Sequence, residues 1–123
     1  MGKRIGRLQT PEAFRQALMT RPLSRSGGFS VYTISSDEVD RLGFVLPKKL
    51  IRRAVQRNQI KRWSRELLRT LKTDDSPKIA FVVRANAAFP MPDWHGRGKQ
   101  EARLALTLMF QKGLTLLNER AVV

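Results

Sequence analysis

RLGFVLPKKLIRRAVQRNQIKRWSRELLRTLK, residues 41–72, is the stretch whose reading decides the fold. It begins as a strand: Leu42, Phe44 and Leu46 alternate with Gly43, Val45 and Pro47, a period of two. After Lys48-Lys49 the period changes. Ile60, Trp63, Leu67 and Leu71 recur at i, i+3, i+7 and i+11, one stripe of a helix. The spacing predicts a helix from near Ala54 to near Lys72. Its opposite side carries Asn58, Lys61, Arg62, Arg65, Arg69 and Lys72. From Lys48 to Lys72 there are ten basic residues and one acidic residue, Glu66. Such a helix must bury its apolar stripe and offer its cations. The expected partner is a polyanion.

Working outward, residues 1–9 read as a short basic arm. Thr10-Pro11-Glu12 is a helix start, with a capping hydroxyl, a proline suited to the first position and an acid that complements the dipole. That helix is expected to run to about Met19, before Arg21-Pro22, with Phe14 and Leu18 on one face. Ser24 to Gly28 reads as a turn cluster, and FSVYTIS, residues 29–35, as a strand. Ser36 to Asp40 is an acidic loop between antiparallel strands. Thr73 to Pro77 breaks the central helix. KIAFVVRA, residues 78–85, is nearly continuous in apolar residues, a strand buried on both faces. Asn86 to Gly98 reads as a surface loop and Lys99 to about Leu117 as a last helix, its apolar side built from Leu104, Leu108, Ala105 and Met109.

The chain of 123 residues is the length of one domain. Its 24 Lys and Arg stand against 10 Asp and Glu, a formal net charge of +14. That exceeds what solubility needs and costs self-repulsion in the compact state, which a phosphate backbone would relieve. An anionic membrane is the rival partner, but no apolar run reaches the roughly 18 residues of a span, so no membrane association is expected. The opening MGKRIGRLQT lacks the apolar core of a signal peptide, and Gly6 breaks the myristoylation pattern. With no cysteine there is neither a disulfide framework nor a thiolate metal site, which fits a reducing cytoplasm. A hydrophobic fraction of 41% predicts a folded chain.

The string KKLIRRAVQRNQIKRWSRELLR, residues 48–69, resembles the signature of the bacterial ribonuclease P protein subunit family. That family has an Arg-apolar-Gly-apolar strand, matched by Arg41, Leu42, Gly43 and Phe44, then Lys48-Lys49. An Arg-Asn-Arg motif opens its basic helix and continues Ile-Lys-Arg, matched by Arg57-Asn58 and Ile60-Lys61-Arg62, with Gln59 standing in place of the second arginine. Phe14, Leu18 and Tyr32 match the family's first helix and following strand. At the late strand, where the family has one or two basic residues, Arg84 is followed by Ala85 and Asn86.

The resemblance implies an α+β fold, a two-layer α-β sandwich of a small mixed sheet with helices in the order αβββαβα, with a left-handed βαβ crossover. It implies an accessory subunit of a ribonucleoprotein endoribonuclease that removes the 5′ leader from precursor tRNA. The catalyst would be the RNA subunit with Mg²⁺, held mainly by that RNA and its substrate. The partners would be the ribonuclease P RNA subunit and precursor tRNA, with no small-molecule substrate and no catalytic side chain in this chain.

Lys48, Lys49, Arg52, Arg53, Arg57, Lys61, Arg62, Arg65 and Arg69 are the candidates for contact with the RNA subunit. An ordinary solvated helix face would alternate signs, with Glu four residues before Lys or Arg, and this one barely does. Asn58 either bridges backbone near the helix start or hydrogen-bonds RNA and Mg²⁺-bound water. Phe14, Leu18, Tyr32 and Arg84 are the leader-cleft candidates by the resemblance, aromatic faces being tolerant of base identity; core packing is the plain alternative for the first three. Trp63 belongs to the core stripe. Asp37, Glu38, Asp40, Asp74 and Asp75 read as loop charges, and Asp93-Trp94-His95 as a polar loop. As the sole histidine, His95 excludes a histidine metal cluster. Two rival functions remain: a stand-alone basic RNA-binding module without a role in cleavage, and a protein metallonuclease, which needs clustered acids.

Overall fold

A computed structural model of the protein describes residues 4–36, 38–72, 77–87 and 97–122, with the side chains of residue 97 and of residues 120–122 left aside. The expectations for the first three residues of the arm, for Asp37, Asp74 and Asp75, for most of the break at 73–77, for most of the 86–98 loop and for Asp93-Trp94-His95 lie outside the described residues. The elements are β1 (Ile5–Arg7), α1 (Pro11–Leu18), β2 (Ser24–Ser26), β3 (Phe29–Ser35), β4 (Asp40–Val45), α2 (Ala54–Leu71), β5 (Ile79–Ala85) and α3 (Arg97–Val122). The fold is α+β, a five-stranded mixed sheet with three helices, in strand order β1-β4-β5-β3-β2.

The central place goes to β5, whose apolar run Ala80-Phe81-Val82-Val83 is buried without a break on both faces. It pairs parallel with β4 and antiparallel with β3. The strands on either side of the acidic loop are therefore antiparallel but not neighbours, because β5 enters between them. Only a strand apolar on both sides is suited to that position. The expected arm is corrected in part: Ile5–Arg7 forms an edge strand parallel to β4, using backbone groups that β4 would otherwise expose. The expected turn cluster also contains β2, which folds back on β3 through Gly27-Gly28. Gly27 has φ +58°, and a Cβ there would lie 2.8 Å from the Ala105 Cβ, so both backbone and packing require glycine.

Helix α1 begins as its sequence prescribes, with Thr10 Oγ accepting from Ala13 N at 3.3 Å and Pro11 in the first turn. Helix α2 starts at Ala54, where the buried Gln56 side chain turns back to accept from Arg53 N at 3.3 Å. One face of the sheet, carrying Phe29, Val31, Leu42, Phe81 and Val83, packs against Ile60, Trp63 and Leu68 of α2 and Leu106, Met109 and Phe110 of α3. The other face, with Tyr32, Ala80 and Val82, receives α1 through Ala17 and the half-buried Ala13, Phe14 and Leu18.

Two expectations about helix faces are corrected. On α3 the buried stripe is Ala102, Ala105, Leu106, Met109, Phe110 and Leu114, whereas Leu104 and Leu108 are 58% and 48% exposed. The small residues Ala102, Ala105 and Gly113 let the helix approach closely: a Cβ on Gly113 would come within 3.0 Å of Leu23. Lys72 is not on the cationic side of α2. The backbone turns extended there (φ −84°, ψ 131°), and the ammonium swings inward to Asp40 at 3.1 Å. Asp40, expected in a loop, is the first residue of β4, and these two side chains are only 1% and 4% exposed. Asp40 also accepts from Ile79 N, and Lys72 donates to Pro77 O, both at 2.9 Å. The pair ties the end of α2 to the starts of β4 and β5.

Candidate nucleic-acid interface

The basic surface begins where β4 ends. After Val45 the chain makes a tight turn in which Leu50 N and Ile51 N both donate to Pro47 O at 2.9 Å. Ile51 is fully buried and pins the turn to the core, so Lys48, Lys49, Arg52 and Arg53 are left exposed around it. Arg57 is half-buried. Its Nη1 donates to the carbonyls of Ile51 and Arg52, each at 2.8 Å. One end of this guanidinium therefore braces the loop that displays its neighbours.

Along α2, which is about 27 Å long, Asn58, Arg62 and Arg69 are exposed, while Lys61 and Arg65 are half-buried at the flanks. The buried side is Gln56, Ile60, Trp63, Ser64 and Leu68. Trp63 thus takes its expected place in the core. Among the described residues, none of the nine candidate cations is paired with a carboxylate; the ion pairs found there are Arg15–Glu12 and Lys72–Asp40. The face keeps its full charge, and the first turn of the helix contains no acid to offset it.

Phe14, Leu18 and Tyr32 come together on the opposite face of the sheet, beneath α1. The Phe14 ring lies on the backbone of Gly43, where a Cβ would meet its Cζ at 2.6 Å. Tyr32 is 7% exposed, in the same cluster as Ala17, Ala80 and Val82. All three therefore serve as core, with edges of Phe14 and Leu18 at the surface. Arg84 is exposed in β5, in register with Val45 of β4 and Ser30 of β3. It stands on the α1 face, at the end of the sheet from which the basic loop departs.

Sequence reasoning did not single out Arg7 and Arg41 as site residues. They line a cleft of about 670 Å³ under the N-terminal end of α1, together with Leu8, Ile34 and Ala80. The signal was present: the period of two that places Gly43 and Val45 on one face places Arg41 there as well.

Fold and surface together define a class, the small α+β protein that packs one side of an amphipathic helix on a mixed sheet and leaves the other side cationic. Residues 3–108 match the family model described as Ribonuclease P. The ribonuclease P protein component of Ralstonia pickettii is 37% identical over 91 residues, 73% of this chain and 64% of that protein. That of Chromobacterium violaceum is 32% identical over 111 residues, 89% of this chain and 87% of that protein. The Staphylococcus aureus RNase P protein superposes with a TM-score of 0.60 at 26% identity, covering 85% of this chain and 92% of that one. The chain spans about half to two thirds of the length of the first curated relatives, 64% and 52%. It belongs to the ribonuclease P protein family.

Proposed function

We propose that the protein is the protein subunit of a ribonuclease P, assisting endonucleolytic removal of the 5′ leader from precursor tRNA in the cytoplasm. The observation that carries this reading is the set of nine cations on α2 and the loop before it, none paired with a carboxylate among the described residues, in a chain of this family. Lys48, Lys49, Arg52, Arg53, Lys61, Arg62, Arg65 and Arg69 neutralise phosphates of the RNA subunit, and Arg57 does so with the nitrogens not turned toward Ile51 and Arg52. Asn58, exposed one residue on, hydrogen-bonds RNA. Arg84 and the exposed edges of Phe14 and Leu18 hold the single-stranded leader, with Tyr32 supporting them from beneath.

Hydrolysis of the phosphodiester is assigned to the RNA, with Mg²⁺ held by RNA and substrate. The carboxylates near the cationic surface do not fit a divalent ion: Asp40 is committed to Lys72 and Ile79 N, and Glu66 is the single acid on α2. No step of the chemistry is placed on this chain.

Reconstitution tests the reading. The protein without RNA is expected to leave precursor tRNA intact, and addition to the cognate RNA subunit at low Mg²⁺ is expected to restore cleavage. Cleavage by the protein without RNA would overturn the assignment of catalysis. An assembled enzyme that binds leader-bearing and leaderless tRNA equally would favour a plain RNA-binding module.

A further inference from the structure

We propose that the outer stripe of α3 is the contact surface for a second copy of this chain, the two helices packing antiparallel about a two-fold axis near Leu108. The inference stands apart from the function proposed above, because it concerns the protein before any RNA is added.

The stripe is Glu101, Leu104, Leu108, Lys112 and Thr115, spaced at i, i+3, i+7, i+11 and i+14 along one side of the helix. It is not the side that packs on the sheet. Leu104 and Leu108 are 58% and 48% exposed, and Glu101, Lys112 and Thr115 are exposed as well. Beside the stripe, a groove of about 390 Å³ between α2 and α3 has Trp63 and Leu67 in its lining, which widens the apolar patch. Unlike the cationic side of α2, this surface is balanced in charge. Glu101 is matched by Lys112 on the stripe, and Glu66 by Arg103 in the groove. A balanced apolar surface offers a polyanion nothing and is suited to protein.

The stripe is complementary to itself. Read in reverse, acid, two leucines and base become base, two leucines and acid, which is what a contact across a two-fold axis requires. A receiving surface is present too. Leu108, Gln111, Lys112, Thr115 and Leu116 line a depression of about 340 Å³. The first four stand at i, i+3, i+4 and i+7, the hole into which a side chain of a facing helix inserts. With Leu104 of a second copy seated there, the two-fold axis seats Leu104 of the first copy in the same way, and the two Leu108 side chains meet near the axis. Glu101, three residues before Leu104, then lies about 4 Å along the helix from the partner's Lys112, within reach of its flexible four-carbon stem. Acid meets base twice. Among the described residues neither Glu101 nor Lys112 has an ion-pair partner within its own chain, so both are available.

The test is sedimentation of the full chain without RNA, over a range of protein and salt concentrations. The wild type is expected to pass from monomer to dimer as its concentration rises. The dimer is expected to tighten as salt screens the repulsion between two copies of net charge +14, the opposite of the salt dependence of RNA binding. Leu108→Glu sets two like charges together at the two-fold axis and is expected to weaken the dimer about a hundredfold, from two leucines no longer buried. Leu104→Glu repeats the test at the neighbouring position. Both leucines are exposed in the single chain, so urea unfolding of the monomer is expected to be unchanged. Glu101→Lys and Lys112→Glu are each expected to weaken the dimer about fivefold, and the double variant carrying both is expected to restore it. A wild type that stays monomeric at every salt concentration would give the stripe to a different protein and overturn the proposal. A dimer that both leucine variants leave intact would lie on another surface and equally overturn it. A double variant weaker than either single one would exclude the antiparallel register, and the proposal with it.

Discussion

Arg57 and Lys72 show how differently two cations of one basic helix can be used. Arg57 donates to two loop carbonyls, so its loss has two consequences. Arg57→Ala is expected to lower stability by about 1 kcal/mol in urea unfolding, from one part-buried and one exposed hydrogen bond, as well as to weaken RNA binding. Arg62 is exposed and braces nothing among the described residues. Arg62→Ala is expected to leave stability unchanged and to reduce the slope of log affinity against log salt by about one. A slope that does not move would place Arg62 off the RNA. Lys72 is spent inside the fold. Lys72→Met leaves Asp40 buried without its ammonium and is expected to cost about 3–5 kcal/mol, with the salt slope of the folded variant unaltered. Its readouts are a chemical melt and a binding titration on the same sample.

The elements divide the work between the two faces of the sheet. Helix α2 has its apolar side in the core it shares with α3 and the sheet and its charge outward, so it positions cations on a rigid support. Helix α1 is short and held by few large side chains, with Phe14 lying directly on Gly43. Gly43→Val would drive a branched side chain into that ring. The expected outcome is displaced packing of α1 and weaker leader binding, with affinity for the RNA subunit retained, read by titration with each RNA separately. Tyr32→Ala acts on the same element from below. Because Tyr32 is buried, about 3 kcal/mol of stability is expected to go with it. Leader affinity must therefore be compared in conditions where both proteins are folded.

Across the molecule, whose formal net charge is +14, two cationic surfaces lie close together. One is the α2 face with its preceding loop. The other runs along α1 from Arg84 to Arg41. The two meet where β4 ends, since Val45 is beside Arg84 in the sheet and two residues before Pro47, which opens the basic turn. Association with RNA is expected to weaken steeply with salt, with the α2 variants carrying most of the slope and the α1-face variants a leader-dependent remainder. Equal slopes for leader-bearing and leaderless substrates would show that the α1 face makes no phosphate contact.

The bounds of α1 and α2, the buried strand at 79–85 and the cationic side of the central helix were all legible in the chain, because capping residues, period and charge act over a few neighbours. The signature at 48–69 made the family legible too. What the chain order could not reveal was decided by distant contacts. The insertion of β5 between β3 and β4, and the pairing of Ile5–Arg7 on the edge, depend on which strands find each other across the core. Leu104 and Leu108 look as apolar as Leu106, yet the small residues at 102, 105 and 113 choose the side of α3 that comes close. Asp40 and Lys72 read as surface charges until the end of α2 is laid beside the start of β4. Arg41 reads as part of a strand until β1 and α1 close over it and make a cleft. Local forces act between neighbours in sequence and are written there; burial is a relation between residues far apart, and it exists only once the chain has folded.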